Sequence, residues 1–333
     1  MRIPTFIASL LFYSVFLPFE LQSSSRLKLV QTIPLPDVAG RIDHIAYDPM
    51  GGRLFIAALG NNSVEVVDLQ QAKRLQSIGG FVEPQGILFL PDSNRLVVAN
   101  GGDGTCNILD GNTYTVLKRF TFNNDADNLR YDADAGKVYL GFGTGSLAII
   151  DPLTWTHESD IGLTGHPEAF AIESIRHRIF VNIPTINRLA IIDLAGKVIL
   201  KRTHEDLRDN YSLALDENSS RLYIGYRTPP RLLILDTDSL KEIALLKIPH
   251  DADDIFIDPV HHYIFVSSGE GYIAVIEQKD PRHYQIAELV PTSEGARTAL
   301  FIPQLNRYYL AVPKHGVLNA EIRVYEIVSD DTK

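Results

Sequence analysis

The stretch RLFIA at residues 53–57 is a basic residue followed by apolar residues of the kind found in buried β-strands. Six related stretches follow it at steps of 42, 42, 41, 43, 42 and 44 residues. They are RLVVA from Arg95, KVYLG from Lys137, RIFVN from Arg178, RLYIG from Arg221, YIFVS from Tyr263 and RYYLA from Arg307. Self-similarity at a nearly constant period indicates a repeat architecture with seven units.

Each unit contains four short apolar runs separated by turn-forming residues. In the second unit the runs are PQGILFL from Pro84, RLVVAN from Arg95, TCNILD from Thr105 and TVLKRF from Thr115. Such runs, bounded by Gly, Pro, Asn and Asp, are typical of strands joined by tight turns. Four strands in about 42 residues form one propeller blade, so the sequence predicts an all-β, single seven-bladed β-propeller.

A second landmark supports this count, because an acid ends the third run of every unit. The acids are Asp68, Asp110, Asp151, Asp193, Asp236, Glu277 and Glu326.

The two ends of the chain are predicted to share one blade. The last unit, residues 296–328, supplies three strands and then stops. The segment LKLVQTIPLP from Leu27 matches the fourth strand of other units, such as LKEIALLKIP from Leu240, yet it precedes the first complete unit. We therefore expect the N-terminal strand to complete the last blade, which closes the ring and removes its open edges.

The recurring RLYIG-like and IID-like strands resemble the YVTN family of bacterial β-propeller repeats. The resemblance covers nearly the whole mature chain, from Arg26 to Val328, although the tetrapeptide itself is degenerate (FIAA, VVAN, YLGF, FVNI). It implies a seven-bladed propeller that is usually exported and often has no assigned activity.

Residues 1–24 have the pattern of a secretory signal peptide. Met1 and Arg2 precede the apolar stretch IPTFIASLLFYSVFLPF, and the small residues of LQSSS follow it. The sequence thus predicts residues 1–24 as a signal peptide, residues 25–330 as the propeller, and a periplasmic or extracellular location. An uncleaved anchor is the alternative, although Pro4 and Pro18 suit a spanning helix poorly.

Composition narrows the classes of partner. The chain has 31 Lys and Arg against 41 Asp and Glu, and a net charge of −10 argues against nucleic acid or anionic lipid. Its single cysteine, Cys106, lies in a predicted strand and is expected to be a buried small residue. We expect a monomer without a membrane span after signal cleavage, whose partner is a small molecule, a cation or a protein.

Polar residues precede the innermost strand of every unit at two matching positions. Ten residues before each RLFIA-like run stand Asp43, Gln85, Asp127, Glu168, Tyr211, Asp253 and Arg297. Twelve residues before each run stand Arg41, Glu83, Asp125, His166, Asp209, Asp251 and Gly295. Side chains two apart in an extended strand point the same way, so both sets are predicted to form stacked rings at one channel mouth.

The two rings hold eight acids and two arginines. Crowded carboxylates repel one another and raise each other's pKa, and a bound cation would relieve that repulsion. The structural alternative is that Asp and Asn are common where a loop enters a strand, since they bond nearby backbone groups. Loops between second and third strands are expected to wall the pocket with Arg227, Glu270 and His315.

The first functional hypothesis is an exported binding module whose acidic channel mouth binds a cation, a cationic small molecule or a basic partner segment. Its candidate ligand-binding residues are Arg41, Asp43, His44, Glu83, Gln85, Asp125, Asp127, Asn128, His166, Glu168, Asn210, Asp251, Asp253 and Arg297.

The alternative is a metal-dependent hydrolase, similar in outline to lactonase propellers that hold a divalent ion at the channel mouth. Oxygen ligands favour Ca²⁺ or Mg²⁺, whereas a histidine ligand favours Zn²⁺. A divalent metal ion is the cofactor that this alternative requires, with His44 or His166 as base. The candidate metal ligands are Glu83, Asp127, Glu168 and Asp253, supplemented by Asn128 and Asn210. Lactonases of sugar phosphates rank last, because an anionic substrate suits an acidic pocket poorly.

Overall fold

The computed structural model describes residues 25–193 and 196–329. The predicted signal peptide, residues 1–24, lies outside the described residues. Within them, 28 strands form seven separate four-stranded antiparallel sheets. The only helical elements described are three 3₁₀ turns, Leu59–Asn61, Pro184–Ile186 and Pro303–Leu305. The chain is thus the predicted all-β seven-bladed propeller.

The blades are numbered from the first complete unit, and the strands of each are given from the channel outward. Blade 1 holds β2 (Ile45–Asp48), β3 (Arg53–Ala58), β4 (Ser63–Asp68) and β5 (Lys73–Gly79). Blade 2 holds β6 (Pro84–Leu90), β7 (Arg95–Asn100), β8 (Thr105–Asp110) and β9 (Val116–Thr121). Blade 3 holds β10 (Ala126–Asp132), β11 (Lys137–Phe142), β12 (Ser146–Asp151) and β13 (Thr156–Gly162).

The remaining blades follow the same order. Blade 4 holds β14 (Phe170–Glu173), β15 (Arg178–Ile183), β16 (Arg188–Asp193) and β17 (Val198–Lys201). Blade 5 holds β18 (Arg208–Asp216), β19 (Arg221–Thr228), β20 (Pro230–Asp236) and β21 (Glu242–Lys247). Blade 6 holds β22 (Ala252–Asp258), β23 (Tyr263–Ser268), β24 (Tyr272–Asp280) and β25 (His283–Pro291). Blade 7 holds β26 (Ala299–Ile302), β27 (Arg307–Val312), β28 (Ala320–Ile327) and β1 (Leu27–Leu35).

The hydrophobic core lies between neighbouring blades. The second and third strands are buried on both faces, as in β3 and β4, because each faces a blade on either side. Their continuous apolar runs reflect this double burial. The fourth strands, such as β5, are mostly exposed. Between blades 1 and 2, Phe55 packs on Phe89 with ring centroids 5.3 Å apart.

The N-terminal strand closes the ring, as predicted. β1 pairs antiparallel with β28 from Leu27 opposite Ile327 to Leu35 opposite Ala320, with one bulge between Leu29 and Gln31. Ile33 is fully buried in the core shared by blades 7 and 1. The first and last strands, β1 and β28, are therefore neighbours in one sheet.

The single cysteine, Cys106, is buried in β8. Burial raises the pKa of its thiol to about 12, so it is a packing residue, as predicted.

Among residues 25–193 and 196–329, no helix has the length and apolar character needed to cross a membrane.

The closing strand offers a matched pair of substitutions. Ile33→Ala should lower the free energy of unfolding by about 2–5 kcal/mol, because a fully buried side chain is lost. Val30→Ala, on the same strand at 42% exposure, should cost well under 1 kcal/mol. Urea unfolding measures both. Equal effects of the two substitutions would show that β1 does not pack as described.

Candidate functional site

Several innermost strands enter the channel through a β-bulge. A bulge places consecutive side chains on one face of the strand, which differs from the strict alternation that the sequence predicts. Asp127 and Asn128 therefore line the same cavity, and so do Asp253 and Asp254. The irregularities lie between Pro84 and Ile87, Ala126 and Leu129, Asn210 and Leu213, and Ala252 and Asp254.

A small polar cavity occupies the channel below the mouth. Its volume is about 40 Å³, enough for one ammonium-sized group or a very few waters. Side chains from blades 3 to 6 and the segment leading into blade 1 line it. They are Arg41, Asp43, His44, Asp127, Asn128, Arg130, Glu168, Ala169, Tyr211, Leu213, Asp253 and Asp254.

The cavity gathers seven of the residues predicted from sequence, namely Arg41, Asp43, His44, Asp127, Asn128, Glu168 and Asp253. Two other predicted residues at the rim contact cavity residues: His166 lies 4.0 Å from Asp127, and Arg297 lies 3.3 Å from Asp253. Gln85 donates to Asp125, Asp125 pairs with His166, and Asp251 pairs with Arg297.

Asn210 is not brought to the cavity. Its amide nitrogen donates to Asn182 Oδ1 and to the carbonyl of Arg188, both at 2.9 Å in blade 4. It joins two blades instead of lining the channel.

Backbone conformation explains part of the acid enrichment at the rim. Glu83, Asp125, Asp209 and Asp251 have φ of 49°, 41°, 63° and 60°, and Gly295 at the matching position has 76°. Asp and Gly occupy this left-handed region more readily than most residues. The backbone carbonyls of the first, second and fourth of these acids each accept a hydrogen bond from a loop glycine. These positions therefore favour Asp or Gly for structural reasons.

The tripeptide Asp-Ala-Asp (DAD) occurs twice, at residues 125–127 and 251–253, and two arginines clamp the second copy. Arg297 Nη1 donates to both Asp251 oxygens at 2.8 and 2.7 Å, and its Nε lies 3.3 Å from Asp253 Oδ2. Arg227 Nε lies 3.2 Å from Asp251 Oδ1, and its Nη2 donates to Asp253. The Arg227 guanidinium also stacks on the Tyr211 ring, 3.9 Å from its centroid. Two carboxylates and two guanidinium groups thus form a neutral network.

A second charged group links Arg41, Asp43 and His44. Asp43 contacts Arg41 and lies 2.8 Å from His44 Nδ1. Burial opposes ionisation of Asp43, but His44 and Arg41 outweigh it and lower its pKa to about 2. Burial likewise opposes a charge on His44, but Asp43 outweighs it and raises its pKa to about 9. At pH 7 this group is an ion pair with one additional positive charge.

The first DAD copy has no such arginine clamp. We call Asp125, Asp127, Asn128, His166 and Glu168 the acidic arc. His166 Nε2 lies 3.6 Å from Asp125 Oδ2 and 4.0 Å from Asp127 Oδ2, while its Nδ1 donates to the Gly143 carbonyl at 2.6 Å. Burial and then the Asp127 charge raise the pKa of Glu168 to about 7. Burial opposes a charge on His166, but Asp127 and the Gly143 carbonyl outweigh it and raise its pKa to about 9. Within the arc three carboxylates face this one cation, while Arg130 and His44 face Asp127 from the rest of the cavity lining.

Two buried acceptor atoms in the acidic arc have no hydrogen-bond partner. They are Oδ1 of Asp127, a residue 6% exposed, and Oδ1 of Asn128, a residue 3% exposed. Leaving a buried acceptor unpaired costs about 1–3 kcal/mol, so nearly all such groups in proteins are paired. Both residues line the cavity, which can therefore receive a hydrogen-bond donor.

The metal hypothesis gains no geometric support. Among residues 25–193 and 196–329, no three or more His, Cys, Asp or Glu side chains are grouped so as to hold a metal ion. Of the four candidate ligands, Asp253 is bound by two arginines, and Glu83 lies on the exposed rim. Asp127, Glu168 and Asp253 line the same cavity, but they are not grouped closely enough to form a metal-binding set.

Sequence reasoning missed two channel residues, Arg130 and Asp254. Asp254 accepts a hydrogen bond from the Ala299 backbone at 2.7 Å, and burial raises its pKa to about 6. Arg130 lies over the Phe170 ring at 5.5 Å, and burial lowers the pKa of its guanidinium. The only sequence signal for Asp254 was its position directly after Asp253. Arg130 had no such signal in the sequence, because the bulge between Ala126 and Leu129 changes which face of the strand it lies on.

Comparison with solved structures supports the propeller fold. Kuenenia stuttgartiensis hydrazine synthase superposes with a TM-score of 0.71 at 18% identity, covering 83% of this chain and 93% of that chain. The WD40 repeats of RRP9 superpose with a TM-score of 0.77 at 9% identity, covering 91% and 100%. The likeness is one of fold alone. No protein-family model and no curated protein matches the chain.

The arginine clamp can be tested by removing one arm. Arg297→Met should lower the free energy of unfolding at pH 7 by about 1–3 kcal/mol, because two mostly buried carboxylates then face one arginine. Adding Asp251→Asn removes one of those carboxylates and should restore part of the loss. Urea unfolding of the single and double variants measures this. A double variant less stable than the single one would argue against the clamp.

Glu168 should give stability a distinct pH dependence. Its folded pKa of about 7 lies above the ordinary value of 4.5, so its ionisation destabilises the folded state as pH rises between these values. Glu168→Gln should match the parent below pH 4.5 and exceed its stability by about 1–3 kcal/mol above pH 7. Urea unfolding at pH 4.5 and 8 measures the difference. The exposed Glu294→Gln should follow the parent at both values; a Glu168→Gln variant that does the same would refute the shift.

Proposed function

We propose that the protein is a binding module whose acidic arc receives a protonated amine or guanidinium head group. The observation that carries this proposal is the pair of buried, unpartnered acceptors, Asp127 Oδ1 and Asn128 Oδ1, in one polar cavity. A cation with N–H donors supplies the hydrogen bonds that these two acceptors lack and adds a positive charge beside the carboxylates of the arc.

The charge distribution around the channel mouth favours the approach of a cation from one side. Asp251 and Asp253 are neutralised by Arg227 and Arg297 on one side. The opposite side keeps unclamped carboxylates, with Glu83 at the rim beside the acidic arc. Field lines from such an arrangement draw a cation toward the acidic side.

The size of the cavity restricts the ligand further. A volume of about 40 Å³ accepts a head group but not a whole molecule. The body of the ligand would lie outside the mouth, as it does for the end of a linear amine or for a lysine side chain presented by a partner. A quaternary ammonium lacks N–H groups and cannot satisfy the two acceptors.

Binding is favoured over metal-dependent hydrolysis on these grounds, since the candidate ligands form no metal-binding group among the described residues. Membership of the YVTN family and export through residues 1–24 are further parts of the proposal. The first is supported by the seven-unit period and the second by the N-terminal pattern.

The proposal predicts selective stabilisation by primary amines. Cadaverine or Nα-acetyl-lysine amide at millimolar concentration should raise the melting temperature in a concentration-dependent way, because each binds only the folded state. Tetramethylammonium at the same ionic strength should leave it unchanged. The affinity should rise between pH 6 and 8 as Glu168 ionises. Differential scanning fluorimetry and calorimetric titration measure these effects.

Matched variants separate the site from general electrostatics. Asp127→Asn should weaken amine binding at least tenfold, about 1.4 kcal/mol, since an acceptor and its charge are lost. Glu294→Gln removes the same charge from an exposed loop at the same end and should change affinity less than twofold. A parent protein that responds equally to tetramethylammonium and cadaverine, or to neither, would refute the proposal. Stabilisation by Ca²⁺, Mg²⁺ or Zn²⁺ instead would favour the metal-dependent alternative.

A further inference from the structure

The imidazole of His166 faces both carboxylates of the first DAD copy. Its Nε2 lies 3.6 Å from Asp125 Oδ2 and 4.0 Å from Asp127 Oδ2, and both distances are longer than a normal hydrogen bond. The His166 side chain is 15% exposed, so it keeps a connection to solvent at the rim. His166 thus lies between the two acids without being fixed to either.

The other ring nitrogen of His166 is held by the backbone. Nδ1 donates to the Gly143 carbonyl at 2.6 Å, so this nitrogen keeps its proton in both the neutral and the charged ring. Gly143 in turn donates its amide to the carbonyls of Asn124 and Asp125 at 2.8 and 3.0 Å. The backbone that carries Asp125 therefore sets the tautomer of His166. The proton that His166 can lose is the one on Nε2, which faces the carboxylates.

The charge on His166 is set by three carboxylates, Asp125 and Asp127 from blade 3 and Glu168 from its own segment. Burial opposes the charge, but Asp127 and the Gly143 carbonyl outweigh it, and with a pKa of about 9 the ring is a cation at pH 7. Each of the three acids has further polar or charged neighbours, namely Gln85 and Glu83 beside Asp125, Arg130 and His44 beside Asp127, and Arg227 beside Glu168.

The second DAD copy has cations of a different kind. Arg297 donates to both Asp251 oxygens at 2.8 and 2.7 Å, and a guanidinium keeps its charge at any physiological pH. The cation beside the first copy is titratable and lies beyond hydrogen-bonding distance of its acids. Such a cation can be exchanged for another one, whereas the arginines are permanent.

We propose that His166 is an exchangeable counter-ion of the acidic arc: an amine head group that binds there replaces the positive charge of His166, and the Nε2 proton leaves to solvent. This inference rests on the function proposed above and adds its regulation by pH. An ammonium beside Asp127 puts a second positive charge near the imidazole and so favours the neutral ring. One ammonium enters and one proton goes to the buffer, so the net charge of the arc is unchanged.

Proton linkage gives the direction of the effect. Because amine binding lowers the pKa of His166, the affinity for the amine rises with pH until the ring is already neutral without ligand, above about pH 9. Amine binding also favours ionisation of Glu168, but its pKa of about 7 leaves it mostly ionised at pH 8 before the amine arrives. Proton release at pH 8 therefore reports on His166.

The first test counts the protons that the parent protein releases at pH 8. Cadaverine is titrated calorimetrically in phosphate and in HEPES, two buffers that lack a primary amine and differ in ionisation enthalpy. We expect release of about half a proton or more per bound amine in the parent and close to none in His166→Asn. Equal release by the parent and His166→Asn would assign the proton to another group and overturn the inference.

The second test compares affinities. His166→Asn keeps a side-chain amide that can donate to Gly143 but removes the competing charge, so it should bind cadaverine about fivefold more tightly than the parent at pH 7. The gain should shrink toward pH 9, and His166→Gln should reproduce it. His250→Asn, which removes an exposed histidine at the same end of the channel, should bind as the parent does. Equal or weaker binding by both His166 variants would contradict the exchange.

The outcomes separate this inference from the function on which it rests. A parent protein that does not bind cadaverine would overturn both. A parent that binds cadaverine without releasing a proton at pH 8, and without a gain in affinity in the His166 variants, would leave the amine site in place and overturn the role of His166 alone.

Discussion

The antiparallel pairing of β1 with β28 is the constraint on which the rest of this molecule depends. Each blade buries its apolar second and third strands only against its neighbours, so an open array would leave two such faces exposed. Pairing the first strand with the last makes the array circular. The channel exists only because that circle is closed. The same closure fixes the distances between side chains on opposite blades.

The two DAD segments have similar sequences but different charge environments. The two DAD segments enter blades 3 and 6 through similar bulges. The one at Asp253 meets Arg227 and Arg297 and is neutralised, whereas the one at Asp127 meets a histidine and another acid. The difference comes from residues on other blades. An acidic arc beside a neutral network is therefore a property of the ring, and the unpaired acceptors Asp127 Oδ1 and Asn128 Oδ1 lie in that arc.

The sequence by itself determined the seven blades, their strands, the ring closure and the burial of Cys106, because the period of about 42 residues and the apolar runs are local signals. It also predicted that Asp43, Asp127, Glu168 and Asp253 lie together at the channel, and these residues line one cavity. Only the tertiary structure decided the rest. Bulges turned Asp254 and Arg130 into the channel, and Asn210 bonded to blade 4. Arginines from blades 5 and 7 neutralised two of the eight ring acids, Asp251 and Asp253. The reason is physical: a charge environment depends on side chains far apart in the sequence, such as Asp251 and Arg297, which are 46 residues apart, and no local pattern encodes such contacts.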